Sequence, residues 1–396
     1  MATVYLQPGH VQPVWAGHPW VYSRAIKRIE GFHEPGDAVD VIDPSGKFLG
    51  RGFISPNSAI AVRILTRREG ETLDAEFLSR RIQSAMEMRK NVSGLPSGET
   101  TGYRLVNSEG DNLGGLVVDV YGDAHVVQFL TVGMKKRENE IFEILQTSGR
   151  SKAIYEVGRS KYQKEEGITC ATRLARGQKI DNFVFQENGL EFEADISEGQ
   201  KTGFYFDQRD NRRTIAGFCG GKHVLDLFCY VGPFSVYAIK QGARKCTCVD
   251  SSMKALLAAE KNMKRNGISS GIDVINKNVQ TFLTDAIIKE EKYDVVIVDP
   301  PNFAHSVRDR DSAKRAYKKL NSYAMKVTKN GGILATSCCS GQIPAEEFLR
   351  ILGVSSRDAD VSMRVIDVKT ASADHPFSPS FEQGRYLKFI IGEIQE

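Results

Sequence analysis

The chain has 396 residues, 41% of them apolar and 26% charged, with 36 Gly, 13 Pro and a net charge of +4. This is ordinary globular composition with enough apolar mass for more than one core, and it excludes a disordered chain, a collagen-like fibre and a disulfide-stapled miniprotein. No stretch approaches the roughly 18 consecutive apolar residues of a membrane helix. The N-terminus lacks the basic and apolar regions of a secretory signal, and the odd number of cysteines suits reduced thiols in the cytoplasm.

In chain order, residues 1–70 are strand-like. Short apolar runs (Ala38–Ile42, Ile60–Leu65) are broken by Pro-Gly, Asp-Pro and Ser-Gly turns, the pattern of a small β-barrel. Residues 72–92 have helical spacing, with Leu73, Phe77, Ile82 and Met86 on one side and a basic opposite face. Strands are predicted at 103–106, 115–121, 124–130 and 153–157, a helix near 135–148, and a polar hairpin near 180–200. From about residue 221 the pattern alternates regularly. Strands fit at 223–228, 245–249, 272–276, 293–298 and 332–337, and helices at 233–241, 252–266, 280–290, 312–329 and 344–352. That alternation predicts an α/β, doubly wound, mainly parallel sheet. Two final strand-like runs, 363–369 and 386–394, make it the methyltransferase variant.

The turn after the 223–228 strand, Asp226-Leu-Phe-Cys-Tyr-Val-Gly232, has no Gly-x-Gly-x-x-Gly fingerprint for a pyrophosphate. An acid, Asp226, stands there instead and suits a cationic amino-acid moiety. The next strand ends at Asp250, placed to accept from two ribose hydroxyls. S-adenosylmethionine carries both features; the bland alternative is that the two acids only cap helices. Asn278 follows the third strand, where its carbonyl can accept from an adenine amino group.

The fourth strand delivers Asp299-Pro-Pro-Asn-Phe303, a rigid exposed turn suited to a planar amine or base. The fifth delivers Cys338-Cys339-Ser-Gly341. Adjacent residues of an extended chain point to opposite faces, so one thiol faces the crevice. A thiol beside a methyl donor suggests covalent catalysis, because carbon 5 of cytosine becomes nucleophilic only after thiolate addition to carbon 6. Methylation of an exocyclic amine or of guanine N7 needs no thiol and is the rival chemistry. A non-catalytic RNA-binding assembly factor is the rival of another class.

Residues 301–330 hold eight Lys/Arg against two acids, among them Arg308, Arg310 and Lys314. The first 68 residues hold eight against five, with both tryptophans, Trp15 and Trp20, and Arg24. These patches suit an RNA backbone with exposed bases, or else a solvated face. Cys246-Thr-Cys248 reads as strand core, with no metal expected. His375 either approaches a substrate base or holds its loop, and Lys201 and Arg209 either touch RNA or cofactor or pin the linker hairpin.

His18–Ser23, Tyr103–Glu109, Gly115–Asp119, Gly199–Arg209, Asp226–Gly232, Asp299–Phe303, Cys339–Gly341 and Ala373–Pro376 together resemble the bacterial large-subunit (23S) ribosomal RNA cytosine-5 methyltransferases over nearly the whole chain. The resemblance implies a PUA-like RNA-binding domain at 1–70, a central α/β domain at 71–185, and a hairpin plus Rossmann-like methyltransferase domain at 186–396. It implies S-adenosylmethionine as cofactor, ribosomal RNA as partner, no membrane, and a form compatible with a homodimer. Cys339 is then the nucleophile, with Asp299 beside it. The expected cofactor residues are Phe204, Gln208, Asp226, Phe228, Gly232, Asp250, Ser251, Asn278, Val279 and Asp299. The expected RNA contacts are Trp20, Arg24, Arg308, Arg310 and Lys314. Cys338 stands where Ser is common in the family, Asn278 where Asp is, and Pro301 where many RNA cytosine-5 enzymes carry a second Cys.

Overall fold

The computed structural model describes residues 1–148, 151–158, 163–197, 202–304 and 306–396. They form two compact units. The first comprises Met1–Gly189, Ala194–Phe206 and Ala373–Gly384, and the second Leu190–Glu193, Asp207–Ser372 and Arg385–Glu396. The PUA-like and central regions expected from the sequence thus share one unit, together with the late loop that carries His375.

The first unit opens with a six-stranded sheet of β1 (Ala2–Leu6), β2 (Trp20–Tyr22), β3 (Ile26–Glu30), β4 (Ala38–Ile42), β5 (Phe48–Ile54) and β6 (Ile60–Thr66), in the order β2-β6-β5-β4-β1-β3. A one-turn helix, α1 (Val11–Trp15), sits between β1 and β2. Its core gathers Val4, Leu6, Val39, Val41, Ile54 and Val62, the inward half of each alternation. Gly52 has no room for a side chain, since a Cβ would lie 1.9 Å from the Arg63 carbonyl oxygen.

Helix α2 (Ala75–Asn91) follows, capped by Asp74, whose carboxylate accepts from the Phe77 N–H at 2.9 Å. Its Phe77 and Ile82 are buried as the spacing predicts. The basic face departs from expectation at Arg89, which is completely buried. Its guanidinium pairs with Asp111 at 2.5 and 2.8 Å and donates to the carbonyls of Arg104 and Asp374. A charge can be buried when every donor finds an acceptor, and spacing along the helix cannot show those partners. Beside it lies a second sheet, β7 (Gly102–Asn107), β8 (Leu116–Tyr121), β9 (Ala124–Phe129), β10 (Ala153–Glu156) and β11 (Arg173–Gly177), in the order β11-β10-β9-β8-β7. The single helix expected near 135–148 is two, α3 (Val132–Lys135) and α4 (Glu138–Ser148), with α5 (Gln163–Glu166) later. Strand β11 escapes sequence reading because its Arg173-Leu-Ala-Arg-Gly177 edge has neither apolar alternation nor a buried face. The chain then passes through the two-stranded sheet of β12 (Phe183–Glu187) and β13 (Leu190–Ala194).

The second unit is built on a seven-stranded sheet: β14 (His223–Leu227), β15 (Lys245–Asp250), β16 (Ile272–Asn276), β17 (Tyr293–Val298), β18 (Thr328–Cys338), β19 (Ser362–Lys369) and β20 (Lys388–Gln395). Their order is β16-β15-β14-β17-β18-β20-β19. The first five are parallel and β20 is antiparallel to both its neighbours. The helices are α6 (Arg209–Ala216), α7 (Pro233–Lys240), α8 (Met253–Arg265), α9 (Val279–Ile288), α10 (Arg310–Val327) and α11 (Ala345–Ala359). The chain reverses direction across the sheet between β14 and β17. Ligands of such sheets bind at that switch point, outside the carboxyl ends of the strands. Asp226, Asp250, Asp299 and Cys339 all lie at those ends.

Candidate active site

The turn after β14 is unusual in its backbone. Phe228 (φ 62°), Tyr230 (φ 51°) and Gly232 (φ 77°) all take positive φ within five residues. For non-glycine residues this is strain that the surrounding fold must hold, and it concentrates at ligand sites. Gly232 has a second constraint, since a Cβ there would approach Ala259 Cβ to 2.9 Å. It caps α7, whose first residue is Pro233.

Asp250 holds this turn. Its Oδ2 accepts from the Tyr230 N–H at 3.0 Å and its Oδ1 from the Ser252 N–H at 2.8 Å. Each oxygen keeps a lone pair for a further donor. Neither acid is a helix cap, because Ser252 caps α8 and Gly232 caps α7. Asp226 is placed differently from what the sequence suggests. It is completely buried, its Oδ2 accepts from Ser235 Oγ at 2.5 Å, and its Oδ1 has no hydrogen-bond partner among the described residues. Burial drives its pKa well above the ordinary carboxylate range, with the nearby Cys248 thiol adding to the effect. Asn278 also departs from expectation, because its Oδ1 accepts from the Gln280 and Thr281 N–H groups at 2.9 and 3.3 Å as the cap of α9. Its carbonyl, expected to accept from an adenine amino group, is thus occupied by the helix cap. Ser251 is exposed and Val279 is buried. Phe204 lies in the first unit, packed on Phe185 and Phe206 at ring distances of 4.9 and 5.4 Å.

Asp299 ends β17. Its Oδ1 accepts from Gln208 Nε2 at 2.9 Å and from the Ser337 hydroxyl, while Oδ2 receives no hydrogen bond from the described residues. Gln208 is itself fixed, its Oε1 accepting from Asn211 Nδ2 at 2.6 Å. Burial raises the pKa of Asp299 and the two donors oppose that rise. Gln208 was expected on the cofactor; its visible task is to orient Asp299.

The two cysteines separate cleanly. Cys338 is completely buried in the core with Tyr317 and Ile343. Cys339 is partly exposed, and its Sγ lies 3.8 Å from the Pro300 carbonyl oxygen, in the turn that carries Asp299. Ser340 Oγ donates to the Ala304 carbonyl at 3.2 Å. The turns after β17 and β18 are thus stitched together, with a thiol and a carboxylate on adjacent strand ends. Cys246 and Cys248 are completely buried in β15.

Of the basic run, Arg310 and Lys314 both pair with Glu347 on α11, and Lys318 with Asp358 at 2.7 Å. Arg308, Arg315 and Lys319 are exposed. The sequence did not single out Glu347 or Asp358, because nothing local links α11 to α10. In the first unit, Trp20 packs on Phe381 at 4.7 Å and donates from its indole N–H to Glu109 at 2.8 Å. Arg24 is exposed, over the Tyr22 ring. His375 is buried against Asp374 at 3.1 Å and holds its loop. Arg209 is buried at the start of α6, and Lys201 lies outside the described residues.

The residues at the β14 and β15 strand ends suit a ribose-bearing ligand rather than the pyrophosphate of a dinucleotide. Asp250 offers two acceptor oxygens beside a glycine-capped turn, and no phosphate-cradling glycine loop is present there. Comparison with known proteins agrees. Residues 4–67 match the PUA-like domain family, and residues 140–370 match the S-adenosylmethionine-dependent methyltransferase family. A protein of Shewanella denitrificans named ribosomal RNA large subunit methyltransferase I is 37% identical over 99% of both chains. One of the same name from Alteromonas mediterranea is 35% identical over 100% of this chain and 99% of its own. Among solved structures, a Streptococcus mutans chain assigned to the SAM-dependent methyltransferases superposes with a TM-score of 0.86 at 22% identity, covering 99% of this chain and all of that one. A methyltransferase solved with SAH does so equally well, at 23% identity and the same coverage. With Asp250 holding a strained turn at the carboxyl ends of its parallel strands and relatives of this identity along its full length, the chain belongs to the S-adenosylmethionine-dependent methyltransferases, and within them to the ribosomal RNA large subunit methyltransferase I family.

Proposed function

We propose that this enzyme methylates carbon 5 of a cytosine in large-subunit ribosomal RNA through a covalent adduct on Cys339. The observation that carries this reading is the partly exposed Cys339 thiol at 3.8 Å from the Pro300 carbonyl, in the turn of Asp299. Methylation of an exocyclic amine or of guanine N7 gives such a thiol nothing to do. The names of the relatives supply the substrate class.

When bound, S-adenosylmethionine supplies an electrophilic methyl group, and the residues proposed to hold it are Asp250, Gly232, Phe228 and Asn278. The target cytosine leaves its stack and enters at the β17–β18 strand ends. Asp299 accepts a hydrogen bond from the base through Oδ2, with Oδ1 occupied by Gln208 and Ser337. The Cys339 thiolate adds to carbon 6, which places electron density on carbon 5. After methylation the carbon-5 proton leaves to a base and the Cys339–carbon 6 bond breaks, restoring the ring and the thiolate. Trp20 and Arg24 in the PUA-like region, and Arg308, Arg310 and Lys314 near the Asp299 turn, are proposed to hold the RNA backbone and bases.

RNA carrying 5-fluorocytidine tests the chemistry, because fluorine cannot leave as a cation and the adduct is trapped. The native enzyme should give a complex that survives denaturing electrophoresis. Cys339→Ala should abolish both the complex and methyl transfer, while Cys338→Ser should retain both. Methyl transfer that persists in Cys339→Ala would replace this reading with amine methylation.

A further inference from the structure

Lys388 is the first residue of β20, and the strand register sets it opposite Cys338. It is only 3% exposed. Lysine is rarely enclosed to this degree unless it is paired. None of its described partners is a carboxylate. Its Nζ donates to the Ser340 carbonyl and, at 2.8 Å, to the Tyr386 carbonyl. Ser340 immediately follows Cys339, so this side chain pins the peptide on which the reactive thiol stands.

We propose that Lys388 is a positioning residue that fixes the Cys339–Ser340 turn and holds the Cys339 thiol in its ionised form. The proposal rests on Cys339 being the nucleophile. An ammonium beside a thiol favours the thiolate, which is the attacking species. The relation is reciprocal: burial lowers the pKa of Lys388, and the thiols work against that lowering, first Cys338, which stands opposite it in the strand pair, and then Cys339. The other ionisable groups around the pair come from every neighbouring element. Asp299 at the end of β17 is the nearby carboxyl, with Asp207 adding negative charge beside it and Arg212 of α6 offsetting part of it. Arg385, before β20, adds positive charge. The Tyr317 phenol of α10 is pushed far up by burial and stays neutral. Lys388 is thus the buried cation among them that is tied directly to the thiol-bearing turn.

The test is the rate of iodoacetamide alkylation of Cys339 from about pH 5 to 10, followed residue by residue with tandem mass spectrometry, in cofactor-free enzyme. Native enzyme should show an inflection below the value of about 8.5 for a free thiol. Lys388→Met should move it up by about one unit or more and slow alkylation at pH 7 at least about tenfold, a unit of pKa being a factor of ten in thiolate. Lys388→Arg should restore most of both. A native inflection at or above about 8.5 overturns the proposal even if Lys388→Met fails to fold. Superimposable native and Lys388→Met profiles also overturn it. Because alkylation needs neither RNA nor methyl donor, such a failure leaves the 5-fluorocytidine test of the reaction untouched.

Discussion

Gln208 donates its side-chain N–H to Oδ1 of Asp299 at 2.9 Å, on the same oxygen that takes the Ser337 hydroxyl. Both donors therefore favour the ionised carboxylate and leave Oδ2 for a substrate. Gln208→Ala should destabilise the anion and raise the Asp299 pKa. If ionised Asp299 is the working form, the acid limb of the methyl-transfer profile moves to higher pH. A hydrogen bond to a charged group is worth about 1.5–3 kcal/mol, so the limb should move by about one to two units. An unchanged pH–rate profile would assign Gln208 to structure alone.

Asp250 receives the Tyr230 and Ser252 N–H groups and so fixes the β14–α7 turn, while in the proposed site it also holds the cofactor. Asp250→Ala should weaken S-adenosylhomocysteine binding by about 1.5–3 kcal/mol, roughly 10- to 150-fold in Kd. Titration calorimetry measures this directly. Equal Kd values for native and variant proteins would remove Asp250 from the cofactor site.

Glu347 engages both Arg310 and Lys314, which hold its pKa below the ordinary carboxylate range. If those two cations serve RNA, Glu347 competes with phosphate for them. Glu347→Gln should then tighten RNA binding and steepen its dependence on salt, while Arg308→Glu should weaken and flatten it by roughly one phosphate contact. Filter binding across a salt series reports both slopes. If Glu347→Gln changes neither affinity nor slope, the pair belongs only to the α10–α11 packing.

His125 of β9 is buried, its Nδ1 has no hydrogen-bond partner among the described residues, and burial lowers its pKa to about 4. In the unfolded chain it titrates near 6.5. Between those values the unfolded chain binds the extra proton, so stability rises with pH there. The stabilisation is complete above about pH 6.5 and is lost as pH falls towards 4, with a total near 3 kcal/mol by linkage. His125→Phe should flatten that segment of a denaturation series against pH, and a variant as acid-sensitive as the native protein would exclude His125 as the cause.

The second unit was legible because its signals are local. Its alternating strands and helices have spacings set by backbone geometry, and four fully buried residues in a row, Val295–Val298, mark a strand covered on both faces. The strand-end positions of Asp226, Asp250, Asp299 and the cysteine pair followed from those strands. What each side chain does at its position was decided by partners distant in sequence. Asp226 turned inward to Ser235, and Asn278 spent its carbonyl on a helix cap. Gln208 found Asp299 across 91 residues, and Arg310 found Glu347 across 37. The separation of Cys338 from Cys339 shows the division most plainly. Alternation along an extended chain requires that the two thiols face opposite ways. Only the packing of Tyr317 and Ile343 on one face, and of the Pro300 turn on the other, fixed which thiol is sealed and which is open. Lys388 was silent in the sequence for the same reason: a lysine early in a terminal strand reads as a surface residue until the antiparallel register carries it opposite Cys338 and beneath the Ser340 carbonyl.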